Sequence, residues 1–144
     1  DIDIARYIFQ EEPESVFACA GNLNHERFED YVQIMLNFPG GKSAFIESNW
    51  LTPYKIRKLA ITGSEAITTL DYITQEMTIE TSKQTLTPRS DWEEPLKLEL
   101  QHFVDRVIED KEPLVSGVDG LRALRIAEAA LKSAAKGRLI KIMS

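Results

Sequence analysis

The chain has 144 residues, 43% of them hydrophobic and 28% charged, with 23 acidic side chains against 17 basic ones. That length supports one domain able to bury roughly 68–70% of the surface its unfolded chain exposes, and the composition excludes disordered and fibrous classes. The acidic excess disfavours nucleic acid, no apolar run reaches the roughly 18–20 residues of a membrane span, and the single cysteine, Cys19, fits a reducing, cytoplasmic setting.

Residues 2–9 place Ile4, Tyr7 and Ile8 on one side and Asp3 and Arg6 near the other, the spacing of a short amphipathic helix. Pro13 ends it by pushing the residue before it out of helical geometry. Residues 15–20 read as a short apolar strand in which Cys19 is expected to be inert core, and Asn22 and Asn24 suit the turn that follows. From Phe28 to Thr81 the period becomes two, with Val32, Ile34, Leu36 and Phe38 on one face and Tyr31, Gln33, Met35 and Asn37 on the other. Pro39, Gly40 and Gly41 turn this strand into a partner over 43–51. Thr52 and Pro53 interrupt it, and segments 55–62, 66–73 and 76–81 complete an antiparallel meander of about five strands.

Residues 83–94 are polar and read as an excursion loop, with Trp92 inside it. Pro95 suits the first turn of a helix, and Leu96, Leu100, Phe103, Val104, Val107 and Ile108 continue an apolar stripe to about Asp110. Ser116 is placed to cap a further helix near Asp119. That helix runs to Lys136 and stops at Gly137, with Leu121, Leu124 and Leu131 expected on its buried side beside Ala127, Ala130 and Ala134. Residues 138–142 make a last short strand. Strands grouped together and helices grouped at the ends define an α+β class, a mostly antiparallel open-faced sheet with helices on one face, as a single domain over 1–144. Tyr31, Met35, Phe45 and Leu51 give the open face more apolar surface than water usually covers, so a second subunit is the expected cover.

The run Asp1-Ile2-Asp3-Ile4-Ala5-Arg6-Tyr7, followed by Glu12-Pro13 and Val16, resembles the opening of the C-terminal domain of the glucose-fructose oxidoreductase and inositol dehydrogenase (Gfo/Idh/MocA) family. Glu47-Ser48-Asn49-Trp50-Leu51-Thr52-Pro53, Ile61-Thr62-Gly63-Ser64-Glu65 and Pro113-Leu114-Val115-Ser116-Gly117-Val118-Asp119-Gly120-Leu121 agree in order and spacing. Ala66 departs from the pattern, which commonly has Gly there. The resemblance implies an NAD(P)-dependent oxidoreductase acting on a sugar or nucleotide-sugar hydroxyl, of the kind that oxidises the 3-hydroxyl of UDP-N-acetylglucosamine, with simple sugars and inositols also admitted. It implies that an N-terminal Rossmann domain outside this chain holds NAD or NADP, and that the acid/base His directly precedes Asp1. The opening on Asp1 without an initiator Met agrees with an upstream segment, and the chain has no Gly-x-Gly-x-x-Gly or Gly-x-x-x-x-Gly-Lys loop. This chain alone is then expected to be inactive, with no catalytic residue and no cofactor or metal site of its own. Neither His25 nor His102 matches the acid/base position.

The candidate pocket residues are Asp1, Asp3, Asn49, Trp50, Tyr54, Arg57, Arg89 and Trp92. Asp1 and Asp3 would stand beside the missing His, or serve only the helix dipole. Asn49, Trp50 and Tyr54 at the Thr-Pro corner would meet a sugar ring or its nucleotide, or pack on a sheet face. Arg57 with Lys55 and Lys58 would engage a phosphate or uronate, or line a solvated strand. Arg89 and Trp92 would close over substrate, or make a subunit contact. The expected partners are the sugar or nucleotide-sugar, the chain's own Rossmann domain and further copies of itself in a homodimer or homotetramer through the sheet face. Two other readings stay open: a non-catalytic dimerising module for ligand binding or interaction that shares the fold, and an unrelated α+β binding domain.

Overall fold

The computed structural model describes residues 1–142, so the last two residues of the expected 1–144 domain lie outside the described residues. The chain forms two compact units, one made of Asp1–Thr52 with the segment from Leu114 onward, the other of Pro53–Pro113.

The first unit contains helix α1 (Ile2–Phe9), strands β1 (Ser15–Gly21), β2 (Tyr31–Asn37) and β3 (Ser43–Asn49), helix α3 (Gly117–Lys136) and strand β8 (Ile140–Lys141). Its four strands lie in the order β3-β2-β1-β8, all antiparallel. Register rows such as Val16, Leu36, Ala44 and Ala18, Ile34, Ile46 send one set of side chains inward. There Val16, Ala18, Ile34 and Leu36 meet Ile126, Ala129 and Ala130 of α3, with Ala5 of α1 and Phe38 completing the core. Phe9 stacks at a tilt on Phe38 with ring centroids 4.6 Å apart. Gly40 and Gly41 carry the β2–β3 connection at φ 72° and 78°, values that side chains other than glycine rarely adopt.

Three details of this unit differ from the sequence expectation. Leu121, Leu124 and Leu131 point away from the core, because positions 126, 129, 130 and 133 form the face of α3 that meets the sheet and the leucines fall on its far side. Small side chains let the helix approach closely. Ser133, fully buried, accepts the Ala18 N–H at 3.0 Å and donates to the Arg138 carbonyl at 2.7 Å, which ties the helix end to β1. Cys19 is exposed, since strand alternation turns it opposite to Val16 and Ala18. Tyr7 is also outward, and α1 buries Ala5 and Arg6 instead.

The second unit contains β4 (Lys58–Thr62), β5 (Ala66–Asp71), β6 (Glu76–Thr81), β7 (Thr85–Leu86) and α2 (Pro95–Glu109), its strands ordered β4-β5-β6-β7. The expected five-strand meander is thus divided between two sheets. After β3 the Asn49 side chain accepts from the backbone N–H groups of Leu51 and Thr52 at 3.0 and 3.2 Å, and this turn with Pro53 breaks the ladder. β7 lies inside the expected loop, with Thr85 paired to Glu80 and Leu86 to Ile79. Helix α2 starts at Pro95, is capped by the Glu94 carboxylate on the Lys97 N–H at 2.6 Å, and buries none of its residues, so its apolar stripe is exposed.

Candidate functional site

At the start of the first unit, the guanidinium of Arg6 is 7% exposed and sits among three carboxylates. It forks onto Glu12 through Nε and Nη2 at 2.8 and 2.6 Å, donates to Asp3 at 2.5 Å, and reaches the Asp119 carboxylate and carbonyl at 3.3 and 3.4 Å. Arg122 adds a second cation 3.5 Å from Glu12. The Arg6 pKa is raised above its ordinary value, first by the hydrogen bond to Glu12, and Glu12 is lowered in return by Arg6. Asp119 is held down to about 2, first by the hydrogen bond from the Ser116 hydroxyl and also by Arg6. Ser116 and Asp119 form the reciprocal capping box of α3. One buried cation therefore joins α1, the approach to β1 and the N-terminus of α3.

A second polar centre is Asp30, immediately before β2. Its Oδ2 accepts from the backbone N–H groups of Leu23, Asn24 and His25 at 2.7, 2.6 and 3.1 Å, while Oδ1 bonds the Nδ1 of His25. The His25 bond and then the Asn24 amide hold the Asp30 carboxyl well below the usual range. In the second unit, burial raises the Tyr72 hydroxyl above its ordinary value.

The structure puts the eight sequence candidates in separate places. Asp1 is the exposed N-cap residue of α1, and its carbonyl accepts the Ala5 N–H at 3.0 Å. Asp3 is held by Arg6. Asn49 ends β3 and uses its amide oxygen in the turn, with Trp50 next to it 83% exposed. In the second unit Arg57 and Trp92 are brought to one turn, that between β5 and β6: the Arg57 carbonyl accepts from Tyr72 N–H at 2.9 Å and the Trp92 indole donates to the Ile73 carbonyl at 3.4 Å. Gln75, at φ 61° in that turn, exchanges side-chain hydrogen bonds of 2.7 and 3.1 Å with the Glu93 backbone. Tyr54 and Arg89 are exposed. Sequence reasoning missed Arg6, Glu12, Asp119, Asp30 and His25 as centres of the polar structure. The local signals for the first group were Asp3 three residues before Arg6, Glu12 six residues after it, and Asp119 three residues after Ser116. Among the described residues no group of three or more His, Cys, Asp or Glu could hold a metal, and no helix is long and apolar enough to cross a membrane.

Residues 1–142 match the family described as the oxidoreductase family, C-terminal alpha/beta domain, which gives the class of protein to which this fold belongs. The chain is a member of that family, the C-terminal domain of the Gfo/Idh/MocA oxidoreductases. It is 30% identical over 155 residues to inositol 2-dehydrogenase of Rhizobium meliloti (strain 1021), covering 99% of this chain and 47% of the relative. Aldose-aldose oxidoreductase of Caulobacter crescentus, solved with glycerol, has a TM-score of 0.84 at 26% identity, covering 96% of this chain and 44% of that one. UDP-N-acetylglucosamine 3-dehydrogenase of Acidithiobacillus ferrooxidans shares the fold, with a TM-score of 0.86 at 17% identity over 94% of this chain and 45% of that one. The chain spans about half the length of these relatives.

Proposed function

We propose that this chain forms the substrate-side and assembly domain of a cytoplasmic NAD(P)-dependent oxidoreductase that acts on a hydroxyl of a polyhydroxylated ring, a sugar or a cyclitol. The match to an oxidoreductase C-terminal domain along residues 1–142, with an inositol 2-dehydrogenase among the relatives, is the observation that carries this reading. The dinucleotide belongs to an N-terminal Rossmann domain and not to this chain. Two helix starts here already spend a free amide on a side chain, that of Lys97 on the Glu94 carboxylate at α2 and that of Asp119 on the Ser116 hydroxyl at α3, which leaves less there for a diphosphate.

Candidate substrate contacts are proposed for each unit by itself: Asp1, Asp3, Asn49 and Trp50 in the first, and Tyr54, Arg57, Arg89 and Trp92 in the second. Exposed aromatic rings suit the C–H face of a sugar ring. A nucleotide-sugar substrate is the second reading, favoured by the exposed guanidinium groups of Arg57 and Arg89, which suit a diphosphate. Assembly uses the outer sheet face, where the cross-strand row of Phe17, Met35 and Phe45 lies and Phe45 is 78% exposed. The test is NAD(P)+ reduction by the full-length protein with a panel of inositols, aldoses and UDP-sugars, beside NADH titration of the 144-residue chain. Turnover by the former and no binding by the latter are expected. Absence of turnover on the whole panel would favour a non-catalytic module, and NADH bound by the chain alone would refute the division of labour.

A further inference from the structure

The loop 22–29 leaves β1 at Gly21 and returns at Asp30, and the row Gly21, Tyr31, Asn49 marks the sheet end where β1 stops, β2 begins and β3 stops. Asp30 is 1% exposed and all four of its polar positions are in use. Its N–H donates to the Gly21 carbonyl at 2.8 Å and its carbonyl accepts from the Trp50 N–H at 2.9 Å. One carboxylate oxygen takes three loop amides and the other takes His25 Nδ1. Capping the loop needs only the first oxygen. The second fixes an imidazole that is itself 63% exposed.

A carboxylate oxygen on Nδ1 requires the hydrogen to be on Nδ1, so in the neutral ring Nε2 is the acceptor. A fixed ring offers that acceptor with little rotamer entropy left to lose. The nearest cation on the same loop, Arg27, is occupied 5.4 Å from the centre of the Phe28 ring. Trp50, whose backbone N–H bonds the Asp30 carbonyl, lies at the same sheet end and is exposed. A fixed acceptor with an exposed indole is the chemistry that recognises a ring bearing hydroxyl groups. We propose that His25, oriented by Asp30, is a substrate-contact residue whose Nε2 accepts a hydrogen bond from a ring hydroxyl of the sugar or cyclitol, with Trp50 supporting the ring. This rests on the function proposed above and adds a specificity position to it.

The experiment uses the full-length protein and the best-oxidised polyol of the panel. His25→Asn keeps an N–H that can reach Asp30 and removes the outer acceptor, whereas His25→Gln returns a polar group near the Nε2 position. H25N is expected to raise KM about 2- to 13-fold, the size of one neutral hydrogen bond, with kcat within about twofold and an unchanged melting temperature, and H25Q is expected to recover part of the loss. Among monodeoxy analogues of that polyol, the one lacking the contacted hydroxyl should lose affinity with wild type and lose no more with H25N. An H25N protein with KM within about twofold of wild type, or equal sensitivity of every analogue to the substitution, would overturn the inference alone. If wild type oxidises no polyol, the underlying reading fails and this inference with it.

Discussion

Replacing Arg6 by Met keeps most of the apolar stem and removes the charge that holds Asp3, Glu12 and Asp119 together. At an effective dielectric of 20, one opposite charge about 4 Å away contributes about 4 kcal/mol of attraction. Repulsion among the three carboxylates and the lost hydration of the guanidinium offset most of that sum. What remains after substitution is three carboxylates without their common donor. Breaking a fully buried pair costs about 3–5 kcal/mol, but these carboxylates are 29–41% exposed and water can rehydrate them. We therefore expect R6M to lose about 2–4 kcal/mol, close to the value of one or two charge-assisted hydrogen bonds. Urea titration of the chain followed by circular dichroism gives the total, and amide exchange at Ala5 and Gly120, which bond the Asp1 and Ser116 carbonyls, shows whether the loss lies in α1 and the α3 start. The double variant with Glu12→Gln should cost less than the two single changes added, with a coupling of about 1–3 kcal/mol. R6M within about 0.5 kcal/mol of wild type would mean that desolvation cancels the attraction, and the cluster would not be what holds these elements together.

Acid should loosen the first unit. Asp119, held at about 2, and Asp30, held well below the usual carboxylate range, bind protons more weakly folded than unfolded, so their stabilisation is complete above about 4 and is lost as pH falls through their folded values. The melting temperature should fall below pH about 4, and Asp30→Asn should fall less steeply there; parallel slopes would refute this. Ser133→Ala leaves the Ala18 N–H and Arg138 carbonyl unpaired and should cost about 1–3 kcal/mol in the same urea titration. Phe45→Glu places a charge in the Phe17, Met35, Phe45 row, and sedimentation should find the full-length protein shifted to monomer. An unchanged assembly would move the subunit contact off this face.

Local chemistry made much of the fold legible. The period of two over Val32, Ile34 and Leu36 identified the inner face of β2, and Ser116 and Gly137 marked both ends of α3, because strand alternation and helix capping are set by near neighbours. Pairing is not local. A run with period two reads alike whether its strand joins the preceding sheet or starts another, so the separation of β4 from β3 was hidden. The inverted face of α3 has a similar cause: hydrophobicity ranks Leu above Ala and Ser, but close approach to β1 favours Ala129, Ala130 and Ser133. Arg6 meets Asp119 across 113 residues, a distance over which no spacing rule operates.

The same distinction bears on the pocket wall. Asp3 was singled out as a carboxylate beside chemistry, yet its charge is engaged by Arg6. Asn49 was singled out as a polar group at a corner, yet its oxygen serves the turn. A side chain whose hydrogen-bonding capacity is already used inside the fold must break a bond to meet a ligand, and recovers little by the exchange. Trp50, with its indole exposed, has no such cost, and neither does the outer nitrogen of His25, whose inner nitrogen alone is engaged. Ligand contact in the first unit should therefore be sought at Trp50 and His25 before Asp3 and Asn49.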